Sequence, residues 1–245
     1  MQVDLNCDLG EGLATDEQII PLISSANIAC GFHAGDADTM KRTIELCMKH
    51  GVAIGAHPSW PDRENFGRTE MQRSTDEIYS IVTEQLNIIS RITNKLGGKL
   101  HHVKPHGALY NQSAKDKSIA AAIAKAVYDF DASLFLFGLS GSISLTEANA
   151  LQLKTVHEVF ADRTYQDDGS LTPRSQPNAL ITDEQKALQQ ILLMINEQTV
   201  TSTSGKTVPV KADTICIHGD GKNAVAFATT ISSALQQAHI DIKAN

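Results

Sequence analysis

Apolar residues along this chain fall in short blocks that alternate with longer stretches of helical period, almost from end to end. The blocks read as strands at Val3–Cys7, Asn27–Cys30, Val52–Ala56, His102–Lys104, Ser133–Phe137, Lys154–Val159 and Thr214–Ile217. Between them, Asp36 is placed to cap a helix that runs to His50 and stops at Gly51. Ile78, Ile81, Val82, Leu86, Ile89, Ile92 and Leu96 keep helical spacing on one face until Gly97-Gly98 ends the run. Ile119, Ile123 and Val127 mark a third helix, and Ile181 to Ile195 and Ala224 to Leu235 mark two more.

Seven strand–helix units without a linker predict a parallel sheet covered by helices. The expected architecture is one α/β domain over residues 1–245, a seven-stranded (β/α) barrel. A doubly wound nucleotide fold would need G-x-G-x-x-G after the first strand. The chain has Asp8-Leu9-Gly10-Glu11-Gly12, which is acidic, lacks the third glycine and repels a pyrophosphate. Residues 58–73 and 160–178 break the rhythm, and loops this long are expected over the C-terminal rim of the barrel. Residues 199–210 read as a hairpin turning at Ser204-Gly205.

Composition narrows the function classes. The 245 residues are 42% hydrophobic and 20% charged, ordinary for a soluble globular domain. Acids outnumber bases 28 to 21, a formal charge of −7, and no Lys/Arg-rich run stands out, so nucleic-acid binding is not expected. No apolar run approaches the roughly 20 residues of a membrane span, and the first residues have neither the basic nor the apolar part of a signal peptide. Cys7, Cys30, Cys47 and Cys216 lack C-x-x-C spacing and are expected as buried thiols in a cytoplasmic protein.

The chemistry gathers at the strand exits. Five of the nine histidines, His33, His57, His106, His157 and His218, stand at or just after the apolar blocks, in company with Asn6, Asp8, Lys104, Glu158 and Asp220. Titratable groups brought from distant positions to one rim are how an α/β barrel assembles a site. Asn6, Asp8 and Glu11 can ligate a metal or act as acid and base. His33 is a candidate ligand or base, while Asp36 reads as a helix cap. Lys104 ends a strand, where an ammonium is costly to bury unless paired or used. Arg163 or Arg174 can pair bidentately with a substrate carboxylate; Asp162 and Arg163 can equally pair with each other to hold the loop. His218 closes the series, with Asp220 as a possible cap. Two decoys fail. Ser204-Gly205-Lys206-Thr207 imitates a P-loop end but has Val200 where the first glycine belongs, and Gly138-Leu139-Ser140-Gly141-Ser142 lacks G-x-S-x-G spacing.

Taken in order, several segments resemble the LamB/YcsF family. They are Asp4–Glu11, Asn27–Asp36, Gly55–Asp62 with Phe66-Gly67-Arg68, Val103–Asn111, Glu158–Tyr165 with Gly169, Leu171 and Arg174, and Ile215–Asp220. Trp60 stands where the pattern leads one to expect Tyr. The resemblance implies a barrel of the glycoside hydrolase/deacetylase type and a subunit of an ATP-dependent 5-oxoprolinase. That enzyme opens the lactam of 5-oxo-L-proline to L-glutamate while ATP, with Mg, becomes ADP and phosphate. It also implies two partner subunits, B and C. On this reading Asp8, Glu11 and Glu158 supply acid and base around His57 and His106, Lys104 stabilises the oxyanion, and Asn6, His33, Arg68, Arg163, Arg174 and His218 bind substrate. Two rival readings are a stand-alone metal-dependent deacetylase or amidohydrolase, with Asp8, His33 and His57 on a divalent metal, and a noncatalytic lactam-binding subunit.

Overall fold

The computed structural model describes residues 1–219 and 224–245. The chain opens with β1 (Gln2–Leu9), α1 (Asp16–Ile19) and a 3-10 turn (Ile20–Leu22). It continues through β2 (Ser25–Ala29), α2 (Ala37–His50), β3 (Ala53–His57), α3 (Thr75–Lys95), β4 (Leu100–Val103), α4 (Gly107–Ser113), α5 (Lys117–Asp131), β5 (Phe135–Leu139), α6 (Ile143–Ala150), β6 (Lys154–Phe160) and α7 (Glu184–Glu197). A hairpin of β7 (Thr199–Thr201) and β8 (Thr207–Pro209) precedes β9 (Thr214–Ile217), α8 (Ala224–Gln237) and β10 (Asp241–Ile242).

Strands β1 to β6 and β9 are parallel neighbours in that order, and β9 pairs back onto β1, from Asp4 opposite Thr214 to Cys7 opposite Ile217. This closes a seven-stranded barrel with helices around it, the expected fold. Strand β10 adds outside the ring, beside Gln2 and Val3.

Local chemistry explains the boundaries. The Asp36 carboxylate accepts from the Thr39 amide at the start of α2, and Gly51 ends that helix in the left-handed region. Ser74 and Glu77 form a reciprocal capping box that starts α3. Helix α7 begins at Glu184, later than its apolar period implies, because Asp183 caps it and the Ile181 amide is tied to the Asp162 carbonyl. Strand β5 lies two residues beyond its expected block, and α1, α4, α6 and β10 are too short to leave a periodic signal. No described helix is long and apolar enough to cross a membrane. All four cysteines are free and buried.

The alternation along β1 sets the character of the interior. Val3, Leu5, Cys7 and Leu9 join the hydrophobic core, while Asp4, Asn6 and Asp8 take up partners from other strands across the barrel. Asp4 accepts from Ser24, Ser25 and Thr214; Asn6 donates to Glu158 and Thr214; Asn27 donates to Asn6 and Asp8. His102 Nε2 lies 2.8 Å from Asn27 Oδ1 and fits only because Gly55 opposite it has no side chain. A (β/α) barrel ordinarily fills its interior with branched aliphatic side chains. This one is filled with hydrogen-bonded polar groups.

Candidate active site

At the C-terminal ends of the strands the polar interior opens into a cavity of about 390 Å³, within the range that holds a small ligand. Strand β1 brings Asp8, β3 brings His57, and the segment after β4 brings Lys104 and His106 to its wall. The turn after β1 adds Glu11, and the loops after β3 and β6 add Arg68, Arg163 and Arg174. His218 and Tyr110 also line the wall.

Lys104 is the centre of charge. It is 2% exposed, and its Nζ lies 2.8 Å from Glu158 Oε1, 2.9 Å from Asp8 Oδ1, 3.2 Å from Asn6 Oδ1 and 3.1 Å from Cys216 Sγ. Burial alone would discharge the amine, but the Asp8 and Glu158 carboxylates outweigh it and hold its pKa well above 10.5. Asp8 is affected the other way. Burial raises its pKa, yet His57 and Lys104 pull it well below 3.8, so the carboxylate is ionised. The Cys216 thiol is pushed up by burial and stays protonated.

The imidazoles form a second cluster. His57 Nδ1 is 2.7 Å from the Lys104 carbonyl, and its Nε2 faces His106 Nδ1 at 2.9 Å and Asp8 Oδ2 at 3.4 Å. His106 Nε2 is held by the Phe66 carbonyl at 2.9 Å. His33 stacks on His106 with centroids 3.8 Å apart, and its Nε2 lies 3.3 Å from Glu11 Oε1. Burial, first of all, pushes His33 down to about 3 and His106 well below 6.5, so both rings are neutral. Across the cavity His218 Nδ1 is 2.8 Å from Asp162 Oδ2. Burial works against the Asp162 charge, but His218 brings the net pKa below 3.8.

Not every candidate reaches the cavity wall. Asn6, His33 and Glu158 are buried behind it: Asn6 and Glu158 steady Lys104, and His33 contacts Glu11. Arg163 reaches the wall but gives Nη2 to the Thr172 carbonyl at 2.7 Å and Nε to the Ala179 carbonyl at 3.3 Å, clamping its own loop. Burial lowers its pKa to about 10. Arg174 stands exposed at the mouth, and the Arg68 guanidinium lies 4.9 Å from the centre of the Phe66 ring. Asp162 partners His218 rather than Arg163. His157 is half-buried away from the wall, and His101 and His102 sit lower in the barrel. Asp220 lies outside the described residues.

Three further groups join the site without having stood out in the sequence. Tyr110 lies beside Glu158, and burial with that carboxylate raises its pKa well above 10. Asn27 links Asn6 to Asp8, and the Cys216 sulfur approaches the ammonium. Tyr110 was legible in principle, since it falls one helical turn after His106.

Comparison with known proteins settles the relationship. The LamB/YcsF family pattern matches residues 3–245. The chain belongs to the LamB/YcsF family. Among its LamB/YcsF relatives, the 5-oxoprolinase A subunit of Tolumonas auensis is 54% identical over 99% of both chains. The protein of the same name from Geobacillus thermodenitrificans is 51% identical over 99% of this chain and 96% of that one. The crystal structure of the "Lactam Utilization Protein" from Thermus thermophilus is 43% identical, covers both chains fully and superposes with a TM-score of 0.94. A family 4 carbohydrate esterase from Streptomyces lividans, at 11% identity over 98% of this chain and 91% of that one, has a TM-score of 0.54 and shares the fold.

Proposed function

We propose that this chain is the ring-opening subunit of an ATP-dependent 5-oxoprolinase, which hydrolyses the lactam of 5-oxo-L-proline to L-glutamate. The observation that carries the reading is identity above one half, over nearly the whole length, to the 5-oxoprolinase A subunit of Tolumonas auensis. The word "subunit" in that name supports a multi-subunit enzyme, and we assign its remaining parts to subunits B and C.

A five-membered lactam is a stable amide, so its opening needs a polarised carbonyl, a deprotonated water and a proton for the departing ring nitrogen. Lys104 is suited to the first task. Its ammonium is fixed at the cavity floor by Asp8 and Glu158 and needs no reorganisation when an oxyanion develops. Of the carboxylates on the wall, Asp8 and Glu11 lie beside the imidazoles and can take a proton from water. His57 and His106, joined at 2.9 Å, carry the proton toward the ring nitrogen. Arg174 at the mouth takes the substrate carboxylate, with Arg68 beside the same cavity. Glu158 keeps Lys104 charged and in place.

The sequence offers no P-loop to cradle a triphosphate. We therefore assign ATP to the partner subunits. ATP hydrolysis supplies the drive for an otherwise unfavourable ring opening.

The test is ATP-dependent glutamate formation from 5-oxoproline, comparing this chain alone, the B and C subunits alone, and all three together. Turnover is expected only in the complete mixture. Lys104→Ala is expected to lower it by roughly 100- to 1000-fold, the loss that follows removal of an oxyanion donor. Full turnover without this chain, or with Lys104→Ala, overturns the reading.

A further inference from the structure

The imidazole cluster carries an inference that does not depend on the substrate. Glu11, His33, His57 and His106 each offer a donor atom, and these atoms all lie within 4.8 Å of one another. Two of the rings are oriented from behind. A carbonyl oxygen only accepts, so His57 Nδ1, at 2.7 Å from the Lys104 carbonyl, carries a hydrogen. His106 Nε2, at 2.9 Å from the Phe66 carbonyl, does the same. The inward nitrogens, His57 Nε2 and His106 Nδ1, both turn to the Glu11 side of the cluster and face each other at 2.9 Å.

The surroundings supply the rest of a ligand set. Glu11 Oε1 is 3.6 Å from His106 Nδ1, and Asp8 Oδ2 is 3.4 Å from His57 Nε2. Donors bound tetrahedrally at the usual zinc distances are about 3.3 Å apart, and these separations bracket that value. The backs of both histidines are tied to carbonyls, the arrangement that fixes the tautomer of metal-binding imidazoles. His33 is excluded by its geometry. Its ring is parallel to that of His106, with 7° between the planes and centroids 3.8 Å apart. In-plane lone pairs of two stacked rings run parallel and do not converge on one ion. His33 Nε2 instead contacts Glu11 Oε1 and orients that carboxylate.

We propose that His57 Nε2, His106 Nδ1 and Glu11 Oε1 form a zinc site on the cavity wall, with Asp8 at its edge and the open side toward the cavity. This set differs from Asp8, His33 and His57, the trio suggested by sequence. The second donor group, Asp8, Cys216 and His218, is not the site, because the Lys104 ammonium already lies against Asp8 and Cys216. A divalent ion among the proposed ligands would supply Lewis-acid polarisation of a carbonyl in the cavity and, by occupying the lone pairs of His57, His106 and Glu11, would leave Asp8 as the base in place of the proton relay proposed for the metal-free chain.

The test begins with full-length chain stripped by a chelator, dialysed and titrated with Zn²⁺ in a calorimeter. One equivalent per chain is expected. Glu11→Gln and His106→Ala are expected to weaken binding by about 100-fold or more, whereas His157→Ala, an imidazole outside the site, leaves it unchanged. Circular dichroism establishes that each variant is folded. Should a variant not fold, the wild-type chain loaded with Co²⁺ decides: visible d–d bands of a four- or five-coordinate ion support the site, and an octahedral aqua-like spectrum refutes it. The absence of stoichiometric zinc, or unchanged binding in folded Glu11→Gln, overturns the proposal and leaves the two rings sharing a proton.

Discussion

At the scale of single residues, the two arginines that sequence leaves as alternatives separate by what they touch. Arg163 gives its guanidinium to the Thr172 and Ala179 carbonyls, so it holds the loop after β6 in place. Arg174 is exposed at the mouth of the cavity. Arg174→Ala is expected to raise KM for 5-oxoproline by about tenfold or more with kcat little changed, the signature of lost ground-state binding. Arg163→Ala leaves buried carbonyls without a donor, at about 1–3 kcal/mol each. It should show first as a lower urea midpoint and faster proteolysis of residues 160–178. Steady-state kinetics beside denaturation curves separate the two roles, and a pure KM effect from Arg163→Ala would refute the division.

At the scale of elements, much of the fold is legible and part of the site is not. Strand β9 falls on its apolar block, and α2 starts and stops at the residues whose side chains and backbone dictate it, Asp36 and Gly51. The strand-exit histidines His33, His57 and His106 do converge, because parallel strands deliver their C-terminal ends to one rim. Periodicity does not reveal which members sit behind the wall. Glu158 and Lys104 look alike in sequence as charged groups at strand ends, but only Lys104 reaches the cavity. Nor does it reveal that Gly55 makes room for His102, since the pairing arises between β3 and β4. A methyl at Gly55 would overlap the His102 ring. Gly55→Ala is therefore expected to cost about 1–3 kcal/mol by overpacking and to disturb Asn27, Asn6 and Asp8 in turn. Chemical denaturation gives the first effect, and a loss of turnover in the reconstituted enzyme gives the second. A variant as stable and active as wild type would show that His102 can move aside freely.

At the scale of the whole molecule, the polar barrel interior ties stability to pH through Asp4. Burial raises its pKa from 3.8 despite the hydroxyls of Ser24, Thr214 and Ser25, so the folded protein keeps this proton longer than the unfolded chain does. Below 3.8 both states are protonated and the term vanishes. As pH rises from there to the folded value, the unfolded chain ionises first, and stability falls by an amount that then stays constant. Asp4→Asn removes this term. The stability difference between variant and wild type, from urea titrations at a series of pH values, should shift in favour of the variant across that window. A difference independent of pH would contradict a raised pKa at Asp4.

Asp8 and Lys104 belong at once to the cavity wall and to the hydrogen bonds that run between barrel strands. In many enzymes the reactive groups are a liability to the fold, and inactivating them yields a sturdier protein. Here the groups proposed to react are also the mortar between strands. Drift in the sequence that disables this protein should also weaken it, so surviving lineages would seldom retain an intact, inert copy.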